Sequence, residues 1–151
     1  YKVAARPRSS AILKRAATMP DSETQTPELK PLDTQSLVEE IADLAWEKKA
    51  MGLRVLRVLE LVNYTDWFVV MSARSDRHAS SIREHIQDEL KQRTGRRPMA
   101  VEGTEQNQWV IMDYGDAVVH IFFEPVRGFY ELEQLWKDAP ELELEEPDDA
   151  P

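Results

Sequence analysis

The chain contains no cysteine. Disulfide frameworks, thiolate nucleophiles and cysteine-ligated zinc are therefore excluded, and a reducing compartment fits the composition. Glycine is scarce, at 5 of 151 residues. Neither G-x-x-x-x-G-K followed by Ser or Thr nor G-x-G-x-x-G occurs, so the common phosphate-cradling loops are absent. No apolar run approaches the ~20 residues needed to span a bilayer, and no membrane association is expected. Histidine occurs three times, and no internal repeat is evident. The chain also lacks the grouping of nucleophile, base and metal ligands on which an enzyme depends, so neither cofactor nor metal is expected.

Charge is abundant but unevenly placed. Residues 1–20 carry Lys2, Arg6, Arg8, Lys14 and Arg15 and no acid, whereas residues 138–151 carry seven acids and no base. The body between them keeps fourteen basic against twenty-one acidic residues. An acidic body repels a phosphate backbone, so direct nucleic-acid binding beyond incidental contact is disfavoured. A basic protein partner would be attracted and its encounter hastened.

Residues 1–33 hold four prolines and no sustained apolar period, which reads as a disordered arm. The basic part before Met19-Pro20-Asp21 admits three readings: a non-native extension, a native arm, or an organellar transit peptide. Order is expected over 34–137. Thr34 or Ser36 can cap a helix, with Glu39 in reach of Ser36, and Leu37, Ile41, Leu44 and Ala45 follow helical spacing. Gly52 is placed to end that helix. A β-rich run from Arg54 to Leu61 and the apolar run Trp67–Ser72 suit a hairpin, the second strand covered on both faces. Ser75 or Asp76 starts a second helix whose buried stripe is Ala79, Ile82, Ile86 and Leu90, with Gly95 after its end. A short strand near Met99–Val101 completes a strand–helix–strand unit. Trp109–Met112 and Ala117–Phe123 form a second hairpin that Pro125 ends, and Gly128–Trp136 reads as the last helix. The order α-β-β-α-β-β-β-α gives an α/β fold with a mixed five-stranded sheet flanked by helices. Residues 138–151 are expected to be a disordered, solvated acidic tail.

Few side chains suggest chemistry. Asp113 and Asp116 flank a tight turn, where they could hold Mg²⁺ or act as acid and base. Equally, aspartates at turn positions cap local amides while Gly115 supplies positive φ. His78 and His85 stand seven apart on one helix, about 10 Å along its axis and too far to share an ion. His120 lies within a strand. Ser72-Ala73-Arg74-Ser75 enters a helix and could hold an anion, with Arg77 and His78 assisting, or could simply cap the helix through Ser75. Trp109, Tyr130 and Trp136 each join a large apolar area to a polar tip, the profile of interface anchors. With Asp113, Asp116, His120, Glu124 and Arg127 they can form one surface of turn, strand edge and last helix. Such a surface suits docking rather than catalysis.

These residues also carry a resemblance. Thr65-Asp66-Trp67, Ser75-x-Arg77-His78, Val101-Glu102-Gly103, Trp109, Asp113-x-Gly115-Asp116, His120 and Phe129-Tyr130-x-Leu132-Glu133-x-Leu135-Trp136 occur in order. Together they resemble the ribosomal silencing factor family (RsfS, also called Iojap or YbeB) from Ser36 to Trp136. The resemblance implies a nucleotidyltransferase-like fold without retained catalysis. It implies binding to the large ribosomal subunit through ribosomal protein number fourteen, a block on small-subunit joining, and lower translation when nutrients are scarce. A homodimer when free is implied too, in the bacterial cytoplasm or in a mitochondrion or plastid. Two positions depart from the family pattern: Ala73 stands where Gly is usual, and Gly128 where a charged residue is usual.

Overall fold

The computed structural model describes residues 34–130 and 137–147. The N-terminal arm therefore lies outside the described residues, as does Trp136. The elements are α1 (Thr34–Glu47), β1 (Met51–Arg57), β2 (Trp67–Ala73), α2 (Asp76–Thr94), β3 (Ala100–Glu102), β4 (Trp109–Asp113), β5 (Ala117–Phe123) and α3 (Glu124–Tyr130). The expected order of elements holds.

Helix α1 buries Leu37, Val38, Ile41, Ala42, Leu44 and Ala45, the stripe that its spacing predicts. It does not end at Gly52. Lys49 takes the left-handed conformation with φ 62°. Its N–H donates to Trp46 O at 2.8 Å, and that of Ala50 to Ala45 O at 3.1 Å. These paired bonds are a Schellman closure, here completed without glycine. Gly52, at φ 56°, instead lies within β1, where the register with β2 shifts between Met51 and Arg54. It forms a bulge there, a position that favours glycine.

Helix α2 is capped as its sequence suggests. The Ser75 hydroxyl accepts from His78 N, and Gly95 closes the C-terminus at φ 80°. Two histidines of α2 reach the end of α1. His78 Nε2 bonds Lys48 O at 2.7 Å, and His85 Nε2 lies 2.7 Å from Glu47 Oε1. The two rings tie neighbouring helices together rather than share an ion.

The strands run in the order β1-β2-β5-β4-β3. β1 is antiparallel to β2, β2 is parallel to β5, and β5, β4 and β3 continue antiparallel. The crossover through α2 therefore passes over two strands before β3, not to the neighbour of β2. β1 stops at Arg57, earlier than the apolar run to Leu61 suggests. Beyond it Leu61 N–H donates to Val58 O, and Leu59 and Leu61 are exposed in the turn that follows.

One face of the sheet presents Val55, Val69, Met71, Val110, Met112, Val119 and Ile121 to α1 and α2. The other presents Leu56, Phe68, Val70, Ile111, Val118 and Phe122, packed by Val62, Tyr64, Trp109, Val126 and Ala139. Every residue of β2 is buried, as expected of a strand covered on both sides.

The segment after Pro140, expected to be solvated, lies along β1. Glu141 forms an antiparallel bridge with Leu56, and Leu142 and Leu144 pack on the larger core. The run Glu-Leu-Glu-Leu-Glu from 141 to 145 alternates with a period of two, which is the mark of a half-buried strand. Charge content alone conceals that pattern.

Candidate functional site

The second sheet face carries an aromatic group centred on the β4–β5 hairpin. Register pairs Trp109 with Phe122 and Ile111 with His120, so Trp109, His120 and Phe122 share that face. The Trp109 and Phe122 rings stack at a centroid distance of 5.0 Å. Phe68 from β2 meets His120 edge-on at 4.8 Å. Phe68 and Phe122 join the candidate site only in the folded structure. Their signal was available in strand periodicity, which puts Phe122 two residues from His120 on the same face.

His120 is buried, and desolvation pushes its pKa down to about 3. A neutral ring has one acceptor nitrogen. Nδ1 fills that role, accepting the indole N–H of Trp109 at 3.1 Å, so the ring proton is assigned to Nε2. Trp109 is half-buried, with its polar tip fixed from beneath. It is thus a presented aromatic with a set orientation, and His120 is its support.

Asp113 is buried, and its Oδ1 accepts from Gly115 N at 2.8 Å. Gly115 takes φ 88°. The aspartate therefore caps the turn, the local role that turn chemistry predicts. Asp116 is half exposed and lies 3.9 Å from Arg96 Nη2, while Arg96 also donates to Tyr114 O at 2.7 Å. Burial, and next the nearby Asp116, raises the Asp66 carboxyl above its ordinary range. Among the described residues no group of three or more His, Asp or Glu stands together as a metal site.

Glu124 and Arg127 lie on α3. Glu124 is exposed. Arg127 turns inward, where Nη1 donates to Ser72 Oγ at 2.7 Å, tying α3 to β2. Its guanidinium passes over Gly52, where an added Cβ would lie 2.9 Å from Nη1. Tyr130 is the last described residue of α3, and its side chain lies outside the described residues. β5 ends before Pro125 as expected, but α3 starts at Glu124 rather than at Gly128. Pro125 occupies the first turn of α3, where its fixed φ and missing N–H are tolerated.

The six candidates whose side chains are described do not all stand together. Trp109 and His120 touch, and α3 with Glu124 and Arg127 follows directly from β5 at the Trp109 end. Asp113 and Asp116 mark the opposite end of the hairpin, Asp113 pairing with Val118. At ~3.4 Å per residue the two ends are on the order of 15 Å apart. The Ser72–Ser75 loop is not an open anion cradle. Arg74 N donates to His78 Nδ1 at 2.9 Å, and His78 N donates to Ser75 Oγ at 3.0 Å.

Comparison with known proteins bears on this arrangement. The family model described as "Ribosomal silencing factor during starvation" matches residues 31–151. The chain is 32% identical over 114 residues to the ribosomal silencing factor RsfS of Halalkalibacterium halodurans, covering 76% of this chain and 97% of that protein. It is 35% identical over 109 residues to the chloroplastic protein Iojap of Zea mays, covering 72% of this chain and 47% of that one. A crystal structure of a Bacillus halodurans protein superposes with a TM-score of 0.64 at 31% identity, covering 73% of this chain and 99% of that chain. The fold, the ordered motifs and these matches agree: the chain belongs to the ribosomal silencing factor family.

Proposed function

We propose that this protein binds the large ribosomal subunit through ribosomal protein number fourteen and holds the small subunit away, so that translation falls. It acts by occupying space, with no bond made or broken. The observation that carries the reading is family membership across nearly the whole ordered body, joined to a half-buried tryptophan held by a neutral histidine on the second sheet face. An aromatic fixed before binding loses little conformational freedom when it docks. Trp109, with Tyr130 and Trp136 farther along, supplies the anchoring area. Glu124 and Asp116 steer and pair at the rim, where exposed ion pairs contribute about 0–1 kcal/mol each. His120, Asp113 and Arg127 act from within by setting the hairpin and α3. The acidic body complements a basic ribosomal protein.

The same reading includes a homodimer when free. It places the protein in a bacterial cytoplasm or in an organelle of bacterial descent, without a nucleotide cofactor. No helix among the described residues is long and apolar enough to cross a membrane.

Co-sedimentation with purified large subunits tests the reading. The protein should pellet with large subunits, and subunit rejoining should fall as it is added. If it stays in the supernatant at micromolar concentration, the reading fails.

A further inference from the structure

β1 would be an outer strand of the sheet, since the strand order begins with it. An outer strand leaves a row of N–H and C=O groups able to accept another chain. Here the protein's own C-terminal segment takes that place. Arg57 N donates to Pro140 O at 2.8 Å and Leu142 N to Val55 O at 2.9 Å. The two bonds flank the antiparallel bridge between Leu56 and Glu141. Arg54 clasps Glu141 with two bonds, Nη2 to Oε1 at 2.9 Å and Nε to Oε2 at 3.2 Å. On the opposite face Leu142 and Leu144 settle beside Leu53 and Val55. The edge thus reads two features of its occupant: an acid over Arg54, and leucines one residue out of phase against the core.

The hold is slight. Among the described residues it includes one bridge with its two main-chain bonds, Ala139, Leu142 and Leu144 packed against the core, and an ion pair whose side chains are 40% and 33% exposed. Exposed pairs contribute about 0–1 kcal/mol, and segments with few buried contacts open at low free energy. A second copy of β1, Met51–Arg57, carries no acid to set over Arg54. An acidic strand fits well.

We propose that the outer edge of β1 is a strand-acceptor site for an extended protein segment alternating acidic and aliphatic side chains. Residues 139–145 fill it in cis as a detachable guard. A partner segment of the same alternation adds to the sheet when the guard leaves. Recognition is by β-augmentation: main-chain bonds provide the hold, and alternate side chains provide the choice of partner.

The test uses the full chain carrying Leu142→Asp and Leu144→Asp, and a labelled peptide of residues 139–147. A short tether gives the native guard an effective concentration on the order of mM, so the unaltered protein should largely exclude the peptide. The variant should bind it at least about tenfold more tightly by fluorescence anisotropy. A peptide with both leucines replaced by Asp should not bind, because no register then sets an aliphatic side chain against the core. Hydrogen exchange reads the same opening at two adjacent amides. Arg57 N–H, bonded to Pro140 O, should lose protection in the variant, whereas Val58 N–H, bonded to Asp66 O, should keep it. If Val58 also loses protection, the charge pair provides the test: Glu141→Arg should open the Arg57 amide, and adding Arg54→Glu should close it again. An Arg57 amide unchanged in both variants overturns the proposal, as does peptide binding indifferent to loss of the two leucines.

Discussion

The indole N–H of Trp109 and Nδ1 of His120 are 3.1 Å apart, joined across the β4–β5 hairpin. The bond requires an unprotonated Nδ1, and burial supplies that state by pushing the imidazole pKa down to about 3. The ordinary value is 6.5, so the unfolded chain binds this proton more readily than the folded one. The resulting stability is fully present above about pH 6.5 and is lost as pH falls towards 3, at up to about 1.4 kcal/mol per pH unit. Urea unfolding from pH 7 to pH 4 should therefore be less steeply pH-dependent in His120→Phe than in the unaltered protein. Equal slopes would mean that His120 does not titrate in this way.

Gly103 lies against the start of β4. It takes φ 88°, and an added Cβ would fall on the carbonyl oxygen of Trp109. Backbone cannot yield as a side-chain tip can, so Gly103→Ala should cost roughly 3 kcal/mol or more. Gly95→Ala is the comparison: it too has positive φ, but nothing lies near the added carbon. Its cost should be about 1 kcal/mol. Chemical denaturation of both variants checks the difference.

Arg127 joins α3 to Ser72 and passes over Gly52. Arg127→Ala should destabilise the fold by about 1.5–3 kcal/mol, the range for a hydrogen bond involving a charged group. Gly52→Ala should cost more in the unaltered chain than in the Arg127→Ala background, because one of its two penalties is contact with the guanidinium. A double-mutant cycle measures that coupling. Additive costs would show that the guanidinium yields freely.

Asp113 spends Oδ1 on the turn amide of Gly115. Asp113→Ala should lower stability by about 1–2 kcal/mol through loss of the cap. Neither Mg²⁺ nor a chelator should shift the Tm of the unaltered protein. A shift with Mg²⁺, or calorimetric binding of Mg²⁺-ATP, would favour a nucleotide-handling role instead.

The fold was legible in the sequence wherever periodicity and punctuation agreed. The α2 stripe from Ala79 to Leu90 and the caps Ser75 and Gly95 stand where expected, as does β5. Errors arose where one residue type can serve two ends. Gly52 looked like a helix stop, yet Lys49 closes α1 and the glycine allows a bulge under Arg127. Gly128 looked like the start of the last helix, yet that helix already begins at Glu124 with Pro125 in its first turn. The acids of residues 141–145 obscured a strand alternation that two leucines carry. The candidate surface was legible only in part. Sequence brings Trp109 and His120 to one face, but burial depends on what packs above. Only the structure shows His120 and Asp113 facing inward and Arg127 bound to Ser72.

The central claim is occlusion of the large subunit, and competition sedimentation addresses it most directly. Large subunits are loaded with the unaltered protein or with Trp109→Ala, small subunits are added, and the joined fraction is read on a gradient. The account predicts that the unaltered protein remains on the large subunit and keeps small subunits apart. Trp109→Ala, still folded, should lose about 2 kcal/mol of affinity and let them join. Joined subunits that still carry the unaltered protein would contradict it.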